Sequence, residues 1–298
     1  MYVGIDVTHP TANSGIDISI AAMVSNFDLA ATRYTNEIFA QMAARETVER
    51  FEYQFRRLMI KFQKVPFDST YRRLASTYCC LSRWCERFGD VADCFHRAKM
   101  HQARIYFLML IFLNFMMLFF VMEMPPDSWT TLTHADPDLD VTYTYIVIQK
   151  RHITRFYQPS GKDDKGNATY VNVLSGTVID NTVVSPKLFD FYLASQIGAI
   201  GTTRPAHYTV VVDEWMLSAD QIYEMCYKLC FLYARCRIPV SLPCPVYYAH
   251  LVCEKAKEVY KTLNSRHEFD GVEELELRKN EIERRLAVHE AYPGMHFV

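Results

Sequence analysis

The sequence predicts an α/β fold, a mixed central sheet flanked by helices, on three observations. Short apolar runs separated by turn residues open the chain and read as successive strands. The hydrophobic spacing then changes to steps of three and four, the mark of an amphipathic helix. In the C-terminal half strands and helices interleave, which argues one layered α/β architecture. Composition permits this: 298 residues, 50% hydrophobic and 22% charged, are enough for a large core and exclude a disordered tail, a collagen-like fibre or a disulfide miniprotein. Length alone suggests about two domains. A net charge of −2 announces no global polyanion partner, so any nucleic-acid surface is a local patch. Nine cysteines with no C-x-x-C pair, and no charged-then-apolar leader, fit an intracellular chain with reduced, buried thiols.

The elements follow in order. Residues 2–7 (YVGIDV) form a buried strand that ends in a carboxylate and is closed by Thr-His-Pro, and residues 19–25 and 33–39 are the next two strands of a meander. In RETVERFEYQFRRLMIKF, Val48, Phe51, Phe55, Leu58 and Phe62 recur on one helical face, with Arg45, Glu49 and Arg56 off it. Residues 142–150, 176–180, 189–194 and 208–213 are strand-like. Ser218 caps a helix over 218–236, with Gln221 completing a capping box. Two more helices are expected over 246–263 and 273–290.

One window stands apart. Residues 105–122 (IYFLMLIFLNFMMLFFVM) carry no charge over eighteen positions, by length a candidate membrane span. A span in the middle of a sheet would put strand backbone into lipid, so a membrane role is disfavoured. The expectation is a poorly packed segment or a helix laid on the sheet, exposing an aggregation-prone patch.

The chemistry-bearing residues sit around the strands. Read alone, Asp6 is equally a strand-end turn cap, Glu46 a solvated first-turn glutamate favoured by the helix dipole, and His250 a satisfied interior histidine. Lys150, Arg151, His152 and Arg155 place three permanent cations within six residues, either a solvated strand end or a phosphate-binding patch.

Five separated segments bear on that choice: DVTHP; SIAAMVSNFD; YIVIQKRHITRFY; FDFYLASQIGAIGTTRPAHYTVVVDE; and YKLCFLYARCRIPVSLPCPVYYAHLV. Together, and in this order, they resemble the Piwi domain of Argonaute proteins, over about residues 1–64 and 141–298, with a family-like tail at 295–298. The resemblance implies an RNase H-like Piwi domain that holds a small guide RNA paired to a complementary target RNA. In cleaving members acidic residues and a histidine hold two Mg²⁺ (or Mn²⁺) ions for attack on a phosphodiester, as hard cations want clustered oxygens. Carried over by position, the catalytic residues are Asp6, Glu46 and His250, with Asp6 and His250 as metal ligands. The resemblance likewise implies RNA contacts from Lys150, Arg151, His152, Arg155, Thr203, Arg204, Tyr233, Arg235, Ser241, Tyr247 and Lys255. Lys255 stands where many relatives carry Arg, and Gln196 where many carry His. Asp213 has no catalytic counterpart and is read as structural.

A second metal-binding aspartate is missing. In the family it follows the glutamate helix, within a Tyr/Phe-Arg-Asp-Gly motif absent between Lys64 and Thr142. Leu81 to Asp90, with the G that opens the Val91 codon, can be encoded so that dropping one nucleotide yields Tyr-Arg-Asp-Gly-Val-Ser-Asp-Ser-Glu-Met. We therefore read residues 1–298 as a single Piwi domain interrupted by an anomalous segment at 66–140, a frameshift followed by a read-through intron. The function expected is small-RNA-guided RNA binding in gene silencing, with endonucleolytic cleavage impaired in this chain. The alternatives are a non-cleaving module that recruits silencing-complex proteins, or a guide-independent RNase H-type nuclease. Cytoplasmic or nuclear localisation is expected.

Overall fold

The computed structural model describes residues 1–11, 15–26, 28, 30–43, 58, 116–123, 142–198, 201–269, 275–287 and 295–298. Glu46 lies outside them, as does the anomalous segment apart from residues 116–123. Of the expected helix over 45–62, only Leu58 is described. It is helical and fully buried, as its place on the apolar stripe requires.

The strands are β1 (Tyr2–Thr8), β2 (Ser19–Asn26), β3 (Tyr34–Gln41), β4 (Met116–Glu123), β5 (Thr142–Gln149), β6 (Tyr157–Lys162), β7 (Ala168–Asn172), β8 (Thr177–Ile179), β9 (Phe189–Ala194) and β10 (Ala206–Asp213). The helices are α1 (Ala219–Leu229), α2 (Cys244–Ser265) and α3 (Leu275–Leu286). Eight strands make one sheet in the order β3-β2-β1-β4-β5-β10-β9-β8, and β6 and β7 form a separate hairpin. The expected α/β class, a central sheet flanked by helices, is what the structure shows. Strands bonded to each other in the large sheet run antiparallel. β1 and β5, each antiparallel to β4, run the same way on either side of it.

That interposed strand corrects the reading of residues 105–122. Their C-terminal part is neither a span nor a helix laid on the sheet but strand β4, paired with β1 and β5. A continuous apolar run suits a central strand covered on both faces, and periodicity alone does not separate the two readings. Among the described residues no helix is long and apolar enough to cross a membrane.

Two cores lie on one face of the sheet. The first packs α2 and α3 on β2 and β3, with Tyr34, Tyr248, Tyr260 and Phe297 at its centre. The second packs α1 on β5, β9 and β10 through Ile148, Phe191, Tyr208, Ile222 and Cys226. The α1 capping box is formed as expected: Ser218 accepts from the Gln221 N–H, and the Gln221 side chain accepts from the Ser218 N–H. α1 ends at Leu229, seven residues short of expectation. Its backbone winds there into tighter bonds, Cys230 to Tyr227 and Phe231 to Lys228, and Val240 returns to the Cys230 carbonyl. The turn frees Tyr233 to pack against Tyr247 and Tyr248. The five described cysteines are free thiols.

Candidate nucleic-acid interface and acidic site

Asp6 and Gly4 are two residues apart on β1 and so share a face, the one on which α2 lies. A Cβ on Gly4 would stand 2.2 Å from the Pro245 carbonyl carbon and 2.4 Å from the Val246 nitrogen. The missing side chain therefore lets the first turn of α2 rest directly on β1. Pro245 is tolerated there, because first-turn N–H groups have no helical partner. One and a half turns on, α2 brings His250 over the strand end. The two residues are 244 positions apart in sequence, yet His250 Nδ1 lies 2.9 Å from Asp6 Oδ2, with the ring N–H donating because a carboxylate only accepts. Asp6 is 4% exposed.

The Asp6 hydrogen bond holds the His250 imidazole above its ordinary range, against burial and the nearby Lys150 ammonium; Glu254, one turn further along α2, adds to the rise. The Cys253 thiol donates to the Asp6 carbonyl at 3.2 Å, and burial pushes that thiol well up. Neither Gly4 nor Cys253 was legible as a site residue, since each acts through backbone contacts with a distant segment.

Among the described residues no three His, Cys, Asp or Glu side chains converge to hold a metal ion. Strand β4 does not supply a further carboxylate. Ile5 pairs with Leu118 and Tyr2 with Val121, so the Asp6 end of β1 meets the Met116 end of β4. Glu123 lies five residues past Leu118, roughly 17 Å along the strand in the other direction. The described donor set, Asp6 and His250, does not fit a two-metal centre.

Beside this pair lies a cationic and aromatic strip. Lys150 directly follows β5, with its ammonium 5.8 Å from the centre of the Tyr247 ring. Burial, with the Arg204 guanidinium next, holds Lys150 below the ordinary lysine range. Tyr247 packs on Tyr233 with ring centres 4.5 Å apart, and the Arg235 guanidinium acts on the Tyr233 hydroxyl. Lys150, Arg204, Tyr233, Arg235 and Tyr247 are thus brought together from the residue after β5, the segment before β10, the turn after α1 and the start of α2. Arg151 and Arg204 are exposed.

The other expected contacts are placed differently. His152 meets the Pro205 carbonyl through Nε2 at 2.9 Å, and burial lowers its imidazole. Arg155 donates to the His152 and Thr154 carbonyls, bracing its own loop. Thr203 and Ser241 are buried. The Lys255 ammonium donates to the His296 carbonyl of the C-terminal segment. Asp213, read as structural, accepts from the Thr144 hydroxyl and the Leu217 N–H.

The loop that presents Arg204 depends on a second glycine. A Cβ on Gly198 would meet Thr203 Oγ1 at 2.3 Å and Asn172 Nδ2 at 2.9 Å. Gly198→Ala is expected to cost about 1–3 kcal/mol by overpacking, read as a lowered midpoint in urea unfolding.

Comparison with known proteins places these features. Residues 127–261 match the Piwi domain family model. The fold is similar to that of the C-terminal lobe of a budding yeast Argonaute, with a TM-score of 0.62 and 21% identity, covering 99% of this chain and 53% of that one. It is also similar to Kluyveromyces polysporus Argonaute crystallised with a guide RNA, with a TM-score of 0.65 and 23% identity, covering 99% of this chain and 30% of that one. The chain thus spans about half of the first protein and under a third of the second.

Proposed function

Because residues 127–261 match the Piwi domain family model and the fold is similar to that of two Argonaute structures, we propose that this chain carries an RNase H-like Piwi domain that binds a small guide RNA paired to a target RNA, in gene silencing, without cleaving the target. The observation that carries this reading is the strip of Lys150, Arg204, Tyr247, Tyr233 and Arg235. It combines the exposed Arg204 and Arg235 with Lys150 and the half-buried Tyr247 ring, which the buried Tyr233 backs, on a chain that is near neutral overall. Phosphate contacts need only such local charge, and they position a nucleic acid without reading its sequence. The likeness to an Argonaute crystallised with a guide RNA supports the same reading.

Cleavage in this family is a divalent-metal reaction. Here the described carboxylate and imidazole pair with each other, and Glu46 is the other position the resemblance assigns to that site. The function left to the chain is to hold RNA, alone or beside silencing-complex proteins, in the cytoplasm or nucleus. We further propose that residues 66–140 interrupt the domain through a shifted frame and a retained intron; a genomic frame that matches these residues without a splice would refute this.

Binding of a fluorescent single-stranded RNA at several salt concentrations tests the main reading. Arg204→Ala is expected to weaken binding uniformly across sequences and to reduce the slope of log K against log salt by about 0.7. An unchanged slope and affinity would remove Arg204 from the interface.

A further inference from the structure

The hairpin β6–β7 belongs to neither core, and it presents aromatic surface to solvent. Tyr157 is 52% exposed and Tyr170 63%. Tyr157 pairs with Asn172 and Pro159 with Tyr170, so all four side chains share one face of the hairpin. Tyr157 and Tyr170 are diagonal neighbours on that face, about 7–8 Å apart and within reach of one planar ring laid on or between them.

This face is joined to the cationic strip. The Tyr157 hydroxyl meets Thr202 Oγ1 at 3.2 Å. Asn172 donates to the Gly201 carbonyl at 2.8 Å and accepts from the Thr203 N–H at 3.0 Å. Those bonds anchor the hairpin to the loop whose next residue is Arg204, and they cover the Asn172 end of the face, leaving Pro159 and Tyr170 open. A tyrosine ring offers a large apolar face with a polar tip, and a ring pinned by its hydroxyl is ordered before a partner arrives.

We propose that Tyr157 and Tyr170 form a stacking platform for unpaired bases of a single-stranded RNA whose phosphates run along Lys150 and Arg204. This rests on the RNA-binding reading above. The occupant follows from charge complementarity and continuity: the platform is contiguous with permanent cations, and alternating aromatic and basic groups are what single strands use irrespective of sequence.

The test uses the full chain, a short oligoadenylate and an abasic oligomer of the same length, followed by fluorescence anisotropy. Tyr170→Ala is expected to weaken oligoadenylate binding by about five- to a hundredfold and to leave abasic binding unchanged, while Tyr170→Trp retains affinity. Arg204→Ala is expected to weaken both ligands. Unchanged oligoadenylate affinity in Tyr170→Ala, with Arg204→Ala still impaired, would overturn the platform and leave the exposed tyrosines to a protein contact. If Arg204→Ala also binds normally, Arg204 leaves the interface and the platform loses its charged neighbour; if the unsubstituted chain binds neither oligomer, the RNA-binding reading itself falls.

Discussion

Replacing Gly4 with alanine is expected to cost about 3 kcal/mol or more, at the upper end for overpacking, and to separate His250 from Asp6. The added methyl would sit 2.2 to 2.4 Å from three backbone atoms of Pro245 and Val246. Backbone atoms have no rotamer by which to yield, so either β1 or the start of α2 must move. β1 is held on both sides by β2 and β4. α2 is held by Tyr248, Val252 and Cys253 in the first core. Whichever gives way, the 2.9 Å contact between His250 and Asp6 is lost with it, because that contact depends on α2 resting on β1. Urea unfolding measures the first effect. The His250 titration followed by NMR measures the second: its pKa should fall back toward that of a free imidazole as the Asp6 hydrogen bond is lost. A stable Gly4→Ala protein with an unchanged His250 titration would show that α2 does not rest on β1 as described.

This pair also shows what could be read from sequence and what could not. The strands at 2–7, 19–25 and 189–194 were legible because local period and flanking turn residues report buried strands, and the Ser218–Gln221 box because its chemistry is local. Asp6 and His250 were assigned through the resemblance, 244 residues apart, and the fold brings them into contact. Gly4 was not legible: its role is defined by Pro245, and nothing within its own strand signals a helix backbone above it. The end of α1 at Leu229 was missed for a similar reason, since the residues beyond it remain apolar and the turn is fixed by packing of Tyr233. The β6–β7 hairpin was hidden because Pro159 and Gly161 interrupt its alternation and no face of it is apolar throughout. β4 was misread because an uninterrupted apolar run carries no period to distinguish central strand from helix.

A chain whose residues 66–140 are replaced by the product of the corrected frame is expected to gain Mg²⁺-dependent cleavage of a guide-paired RNA by orders of magnitude over the chain as written. Hard divalent cations are held by several oxygens at once, and a two-metal site must balance the charge of both ions. Asp6 offers one carboxylate from β1, and α2 offers the His250 imidazole. The strand lying beside β1 contributes Met-Met-Leu where it passes the Asp6 end, and its one carboxylate, Glu123, falls at the opposite end because β4 runs antiparallel to β1. The shifted frame of Leu81 to Asp90 restores an aspartate in the segment that the resemblance requires. Asp6→Asn in the corrected chain is expected to abolish cleavage while leaving RNA affinity close to the parent, because the cationic strip is built from other elements. Target cleavage measured with and without Mg²⁺, on both chains and the Asp6 variant, decides the matter, and cleavage by the chain as written would show that the missing ligand was wrongly assigned.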